Sequence, residues 1–167
     1  MELVILSLDP GSSKIGWALT TSSGETSDYG FLSPLEEVPK TIPFNHRMNL
    51  LVRRLILPFK EKVNKADYVA WEIVPSFGQM SQRELVQATA ITLKVITFQK
   101  KLPYQQFSPQ GWHKEFLDKG KCTKKEVKDR VLFFDKEIED DLPFDVYDAI
   151  AIGKVAAKKN EWITNEL

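Results

Sequence analysis

The sequence predicts an α/β fold: a five-stranded mixed β-sheet flanked by α-helices. Three observations carry that expectation. Two apolar, β-branched runs and a third short run open the chain, the last two separated by a Gly turn. Runs of strand character then alternate with stretches whose apolar residues recur at helical spacing. Helical patterns alone close the chain. A hairpin-joined trio followed by alternating strands and helices requires antiparallel and parallel pairs in one sheet, with helices on its faces. At 167 residues, without an internal repeat or a linker-like stretch, residues 1–167 read as one domain with room for a sizeable core.

Leu3–Asp9 is an apolar run that stops at Pro10-Gly11, a buried strand and its turn. Lys14–Thr21 (KIGWALTT) reads as the second strand, Gly24 as a hairpin turn and Asp28–Leu32 as the third strand. Asn45 is a candidate cap for a helix to about Lys62. Met48, Leu51, Val52, Leu55 and Ile56 form its apolar stripe, and Pro58 is a candidate early end or kink. Asp67–Glu72 is the fourth strand. Ser81 and Glu84 form a capping-box pattern at the head of a long helix to about Lys101. Tyr104–Phe107 is a short fifth strand, followed by a helix over Pro109–Asp118 that starts at Ser108. Thr123 and Glu126 make a second capping box for a helix to Phe134. Pro143 precedes a last helix over about Phe144–Lys159.

Composition sets the class. The chain is 43% hydrophobic and 28% charged, as in ordinary globular proteins. No stretch approaches the ~18–20 apolar residues of a membrane span, and the N-terminal apolar run is too short for a secretory signal. Cys122 is the one cysteine, which excludes an intrachain disulfide and, without a CxxC partner, argues against a zinc site. A reducing, cytoplasmic setting is expected. The 23 basic and 23 acidic residues cancel, but not locally. Lys119–Arg130 (KGKCTKKEVKDR) holds six basic and two acidic side chains, whereas acids dominate Asp135–Asp148. Such runs are ordinarily solvated faces; a basic surface beside an acidic pocket is the other reading.

Four carboxylates stand out. Asp9 and Glu72 end the first and fourth strands; if these are parallel neighbours, both open at the sheet edge where ligands bind in α/β folds. Asp145 and Asp148, three apart at the start of the last helix, share one face. Taken singly, Asp9 serves a turn, Glu72 solubilises a strand end, and Asp145 and Asp148 favour a helix N-terminus. Taken together, converging carboxylates repel unless cations neutralise them, and oxygen-only ligands suit Mg²⁺ or Mn²⁺.

The run Leu6-Ser7-Leu8-Asp9-Pro10-Gly11 with Gly16-Trp17-Ala18, then Glu72 after a strand, then Asp145-Val146-Tyr147-Asp148-Ala149-Ile150-Ala151-Ile152-Gly153, resembles the RuvC family of Holliday-junction resolvases, of the RNase H-like superfamily. The motifs fall in the family's order along nearly the whole chain. The resemblance implies an RNase H-like sheet and an endodeoxyribonuclease that nicks Holliday junctions, forks or other branched DNA during recombination, repair or replication. It implies Asp9, Glu72, Asp145 and Asp148 as catalytic ligands of two Mg²⁺ ions, with Mn²⁺ as a substitute. Such pairs sit ~3.5–4 Å apart and clamp the attacking and leaving oxygens of an in-line displacement. The implied products carry 5′-phosphate and 3′-hydroxyl ends.

The resemblance also implies a catalytic lysine, for which Lys124 and Lys125 match equally. A second family lysine has a loose match around His113–Lys114, where His113 also reads as a surface histidine. Lys119, Lys121, Lys128 and Arg130 are candidate DNA contacts beside the acids. Phe77, in the loop after Glu72, is a candidate for stacking on opened bases, or equally for packing on the next helix. In the helix from Ser81, the residues Leu85, Ala88, Ile91, Thr92, Val95 and Ile96 would serve a two-fold homodimer by resemblance, or core packing. The muted basic character, with pI near 6.7, and the loop holding Pro75 and Gly78 depart from the family and bear on junction selectivity, not on the acids. An RNase H acting on RNA–DNA hybrids and a non-catalytic branched-DNA-binding module are the alternatives. An actin-like nucleotide-binding domain needs two halves and a longer chain.

Overall fold

The computed structural model describes residues 2–11, 13–73 and 80–160, with side chains omitted at 80–82 and 160. Phe77 and the side chain of Ser81 lie outside the described residues.

The elements follow in the order β1 (Val4–Pro10), β2 (Ile15–Thr21), β3 (Thr26–Leu32), α1 (Phe44–Val63), β4 (Tyr68–Glu72), α2 (Met80–Gln99), β5 (Tyr104–Phe107), α3 (Pro109–Leu117), α4 (Lys124–Phe134) and α5 (Phe144–Asn160). The five strands form one mixed sheet in the order β3-β2-β1-β4-β5. β1–β2 and β2–β3 are antiparallel, while β1–β4 and β4–β5 are parallel. This is the mixed sheet that a hairpin trio followed by alternating elements requires.

Side-chain alternation along the strands splits the core in two. Leu6 and Leu8 of β1, Ile15, Trp17 and Leu19 of β2, and Val69 and Trp71 of β4 pack against α1 and α2. Ile5 of β1, Ala18 of β2 and Ala70 of β4 face the other way, against α3, α4 and α5. The period of two then decides where the strand-end acids point. Asp9 continues the Ile5–Ser7 side and Glu72 continues the Ala70 side, so both face α5. The parallel register Leu8↔Trp71 brings those two strand ends level.

Two helix details differ from expectation. Asn45 does not cap α1: Pro43 holds the N-cap position without a side-chain hydrogen bond, and Asn45 is already helical. Nor does Pro58 end the helix. It removes one backbone hydrogen bond, at about 3 kcal/mol in a helix interior. Phe59 and Val63 beyond it are fully buried and continue the stripe begun by Leu51 and Leu55, and burying two such side chains contributes about 3–6 kcal/mol. Tertiary packing therefore carries the helix through the proline. The capping box at Thr123–Glu126 is present in both directions, and Ser108 caps α3 by accepting from the Gly111 amide. Among the described residues, no helix is long and apolar enough to cross a membrane.

Candidate metal centre

α5 lies directly on β1 and β2, and two glycines set how closely. A Cβ on Gly16 of β2 would stand 1.8 Å from the carbonyl oxygen of Asp145, so the first turn of α5 rests against bare backbone. Two turns further on, a Cβ on Gly153 would meet the Thr20 hydroxyl at 2.4 Å and the Ser7 hydroxyl at 2.7 Å. Gly16 is the register partner of Asp9 across the β1–β2 ladder. The contact that seats the head of α5 is thus next to the strand-end aspartate.

The result is a tight acidic cluster. Asp9, Asp145 and Asp148 each offer a carboxylate oxygen, and these oxygens all lie within 4.8 Å of one another. Asp148 is buried, at 5% exposure. Glu72 lines the same cavity, of about 230 Å³, together with Trp112, His113, Cys122 and Lys124. It stands outside the tight trio. Its Oε2 accepts a 2.7 Å hydrogen bond from the indole N–H of Trp112.

Burial is the first cause that holds the Asp9 carboxyl well above the usual aspartate range, with the charges of Asp148 and Glu72 adding to it. Burial likewise raises Asp148, opposed by Lys124 and reinforced by Asp145. Glu72 is raised by burial against the lowering effect of the Trp112 hydrogen bond. The cluster therefore resists full ionisation unless positive charge is supplied.

Lys124, in the first turn of α4, supplies part of it. Its ammonium lies 2.7 Å from Asp148, 3.0 Å from Asp145 and 3.7 Å from Asp9. Burial works against this charge, but Asp148 and Asp9 outweigh it and the lysine pKa is raised. Lys125 is one position on, about 100° round the helix, and is exposed. Of the two, the helix brings Lys124 to the acids.

The remaining basic run divides. Lys119 pairs with Glu126, Lys128 pairs with Asp140 at 2.6 Å, and the Arg130 guanidinium lies over the Phe134 ring at 4.6 Å. Lys121 is exposed on the loop before α4. His113 is partly exposed, lines the cavity beside Trp112, and has its pKa lowered by burial first. Trp112 was not among the sequence candidates. Its place one turn after Ser108-Pro109 marks a helix start, but no sequence signal names Glu72 as its partner.

The donor set fits a hard divalent cation. Three carboxylate oxygens converge, a fourth carboxylate lines the cavity, and burial with mutual repulsion leaves charge to be neutralised. Oxygen ligands of this kind suit Mg²⁺ or Mn²⁺.

No protein-family model matches the sequence, and no curated protein matches it either. Solved structures do. The Thermus thermophilus RuvC structure superposes with a TM-score of 0.70 at 17% identity, covering 95% of this chain and 96% of that one. T. thermophilus RuvC in complex with Holliday junction substrate gives 0.74 at 18% identity, covering 97% of each chain. At these identities the likeness is one of architecture, and it extends from end to end: the chain has the RuvC-like fold, an RNase H-like five-stranded mixed sheet flanked by helices.

Proposed function

We propose that this chain is a metal-dependent, structure-selective endodeoxyribonuclease that nicks branched DNA, Holliday junctions foremost. The observation that carries the reading is the convergence of Asp9, Asp145 and Asp148 around one point with Lys124 among them. The fold likeness to a RuvC bound to Holliday junction substrate supports the choice of DNA structure. RNA–DNA hybrids are the competing substrate, and retention of all four acids weighs against a purely binding role.

Asp9, Glu72, Asp145 and Asp148 would hold the metal, two Mg²⁺ ions or Mn²⁺ in their place. The chemistry such ions supply when bound is activation of a water and stabilisation of charge on the departing oxygen. Asp148, buried, and Asp9, partly buried, hold that charge in a low-dielectric setting where it acts most strongly. Lys124 has a long flexible stem, so its ammonium can leave the acids for a phosphate oxygen once they are otherwise neutralised. Lys121 and Lys125, exposed nearby, and Lys119, Lys128 and Arg130 behind them would track the phosphate backbone.

Cleavage of two strands of a junction asks for two active sites, and a homodimer would provide them. Ile91 and Val95 of α2 are 61% and 48% exposed, and with Val52, Ile56 and Ala88 they line an apolar groove between α1 and α2. Exposed apolar surface of that kind favours an interface, so part of the α2 stripe would serve the dimer while Leu85, Leu93 and Ile96 serve the core.

The test is cleavage of labelled four-way junction, fork, linear duplex and RNA–DNA hybrid in Mg²⁺, Mn²⁺ or EDTA, beside Asp148→Asn. Metal-dependent nicking of the branched DNAs, lost in the variant, is expected. Cutting of the hybrid alone would reassign the substrate, and tight junction binding without cutting would refute the mechanism.

A further inference from the structure

The buried indole of Trp112 donates its N–H, the one polar group of that side chain, to one oxygen of Glu72. The local fold builds this contact from β5 onward. Phe107 ends β5 in register with Glu72. Ser108 then caps α3 by accepting from the Gly111 amide at 3.1 Å, and Pro109 takes the first helical position, where its missing N–H costs nothing. Trp112 follows one turn in, its amide bonded to the Ser108 carbonyl at 3.1 Å. The indole is 1% exposed, packed with Phe107, Phe116 and Val127, and edge-on to His113 at 4.0 Å between ring centroids.

We propose that Trp112 is a positioning residue for the metal centre: it clamps Oε2 of Glu72, fixes the plane of the carboxylate, and leaves Oε1 as the oxygen offered to a divalent cation. The inference rests on the metal-dependent reading above. Glu72 ends a strand, and its side chain has three rotatable bonds. Unrestrained, it would lose that freedom on metal binding. A rigid donor behind a ligand carboxylate removes this cost beforehand, and loss of such a partner typically weakens metal affinity 10–100-fold. The trio Asp9, Asp145 and Asp148 is brought together by the close seating of α5 on β1 and β2 at Gly16 and Gly153. Glu72, which lines the same cavity from the end of β4, is held instead by a side chain from α3.

The experiment is a Mn²⁺ titration of the DNA-free protein by calorimetry, comparing wild type, Trp112→Phe and Phe116→Leu. Trp112→Phe keeps an aromatic ring and deletes the donor. Phe116→Leu loosens the same core cluster without touching Glu72. Mn²⁺ affinity is expected to fall on the order of tenfold in Trp112→Phe and to hold in Phe116→Leu, even where both lower Tm. Junction affinity in EDTA stays at the wild-type value, and excess Mn²⁺ restores nicking by Trp112→Phe. Equal Mn²⁺ affinity for wild type and Trp112→Phe, or an equal loss in Phe116→Leu, would overturn the assignment. If Trp112→Phe does not fold, the wild-type ¹⁵N-indole spectrum decides. One downfield indole resonance that disappears in Glu72→Ala should shift on Mg²⁺ addition, and no shift would overturn it as well. Wild type that binds no divalent cation refutes the proposed function itself, a different outcome from wild type that binds while Trp112→Phe binds equally well.

Discussion

Replacing Gly16 with alanine should damage the metal centre far more than the fold. The added Cβ would lie 1.8 Å from the Asp145 carbonyl oxygen. An ordinary C···O contact needs about 3.3 Å, so one side must retreat by ~1.5 Å. β2 is held by ladders to β1 and β3 on both edges, whereas the head of α5 ends in a loop. The helix start gives way, and Asp145 and Asp148 move with it, away from Asp9 on the neighbouring strand. Misplacement of reacting groups by about 1 Å can cost on the order of 100-fold in rate, while overpacking of this kind costs about 1–3 kcal/mol of stability. Single-turnover nicking of a four-way junction across a Mn²⁺ series should show both a lower maximal rate and a higher Mn²⁺ requirement. Gly24→Ala is the control. Its φ of 88° strains any side chain, but nothing lies within 4 Å of the new Cβ, so stability falls and nicking does not. Gly16→Ala that cuts as fast as wild type at the same Mn²⁺ concentration would show that the close approach of α5 to β2 does not set the geometry of the acids.

Three further outcomes follow from the same site. Folded-state carboxyl pKa values of Asp9, Asp148 and Glu72 are raised, so without metal each contributes a penalty absent below its unfolded value of ~3.9–4.3, growing as pH rises towards the raised one, and full above it. Under the proposed function Mg²⁺ would bind the ionised form and cancel the penalty, so the gain in Tm on adding Mg²⁺ should increase with pH across that window; calorimetric scans showing a gain that is flat or shrinking would contradict it. Lys121→Ala should weaken junction binding and flatten its log–log salt dependence by about one unit of slope with Tm unchanged, read by fluorescence anisotropy; a wild-type slope would remove Lys121 from the DNA surface. Ile91→Glu, which puts a charge in the groove between α1 and α2, should convert a dimer to a folded monomer in sedimentation velocity, and an unchanged mass would place any dimer contact elsewhere.

Much of this architecture is legible in one dimension because it rests on local periodicity. Alternation along Leu3–Asp9 and Asp67–Glu72 determines that each strand-end acid points to the face opposite its buried leucines or tryptophan, whatever that face meets. The three-residue spacing of Asp145 and Asp148 puts them on one side of a helix, and the Thr123–Glu126 box starts α4 where it was expected. What periodicity cannot decide is contact between elements far apart in the chain. Lys124 and Lys125 are equivalent as letters. Only the packing of α4 against α5 turns one to the acids and the other to solvent. Pro58 reads as a helix breaker until the burial of Phe59 and Val63 is known. Trp112 holds Glu72 across 40 residues of sequence, and Gly16 admits the Asp145 carbonyl across a still longer interval. Both depend on the close packing of a folded interior, where a single donor or a single missing Cβ decides which atoms meet.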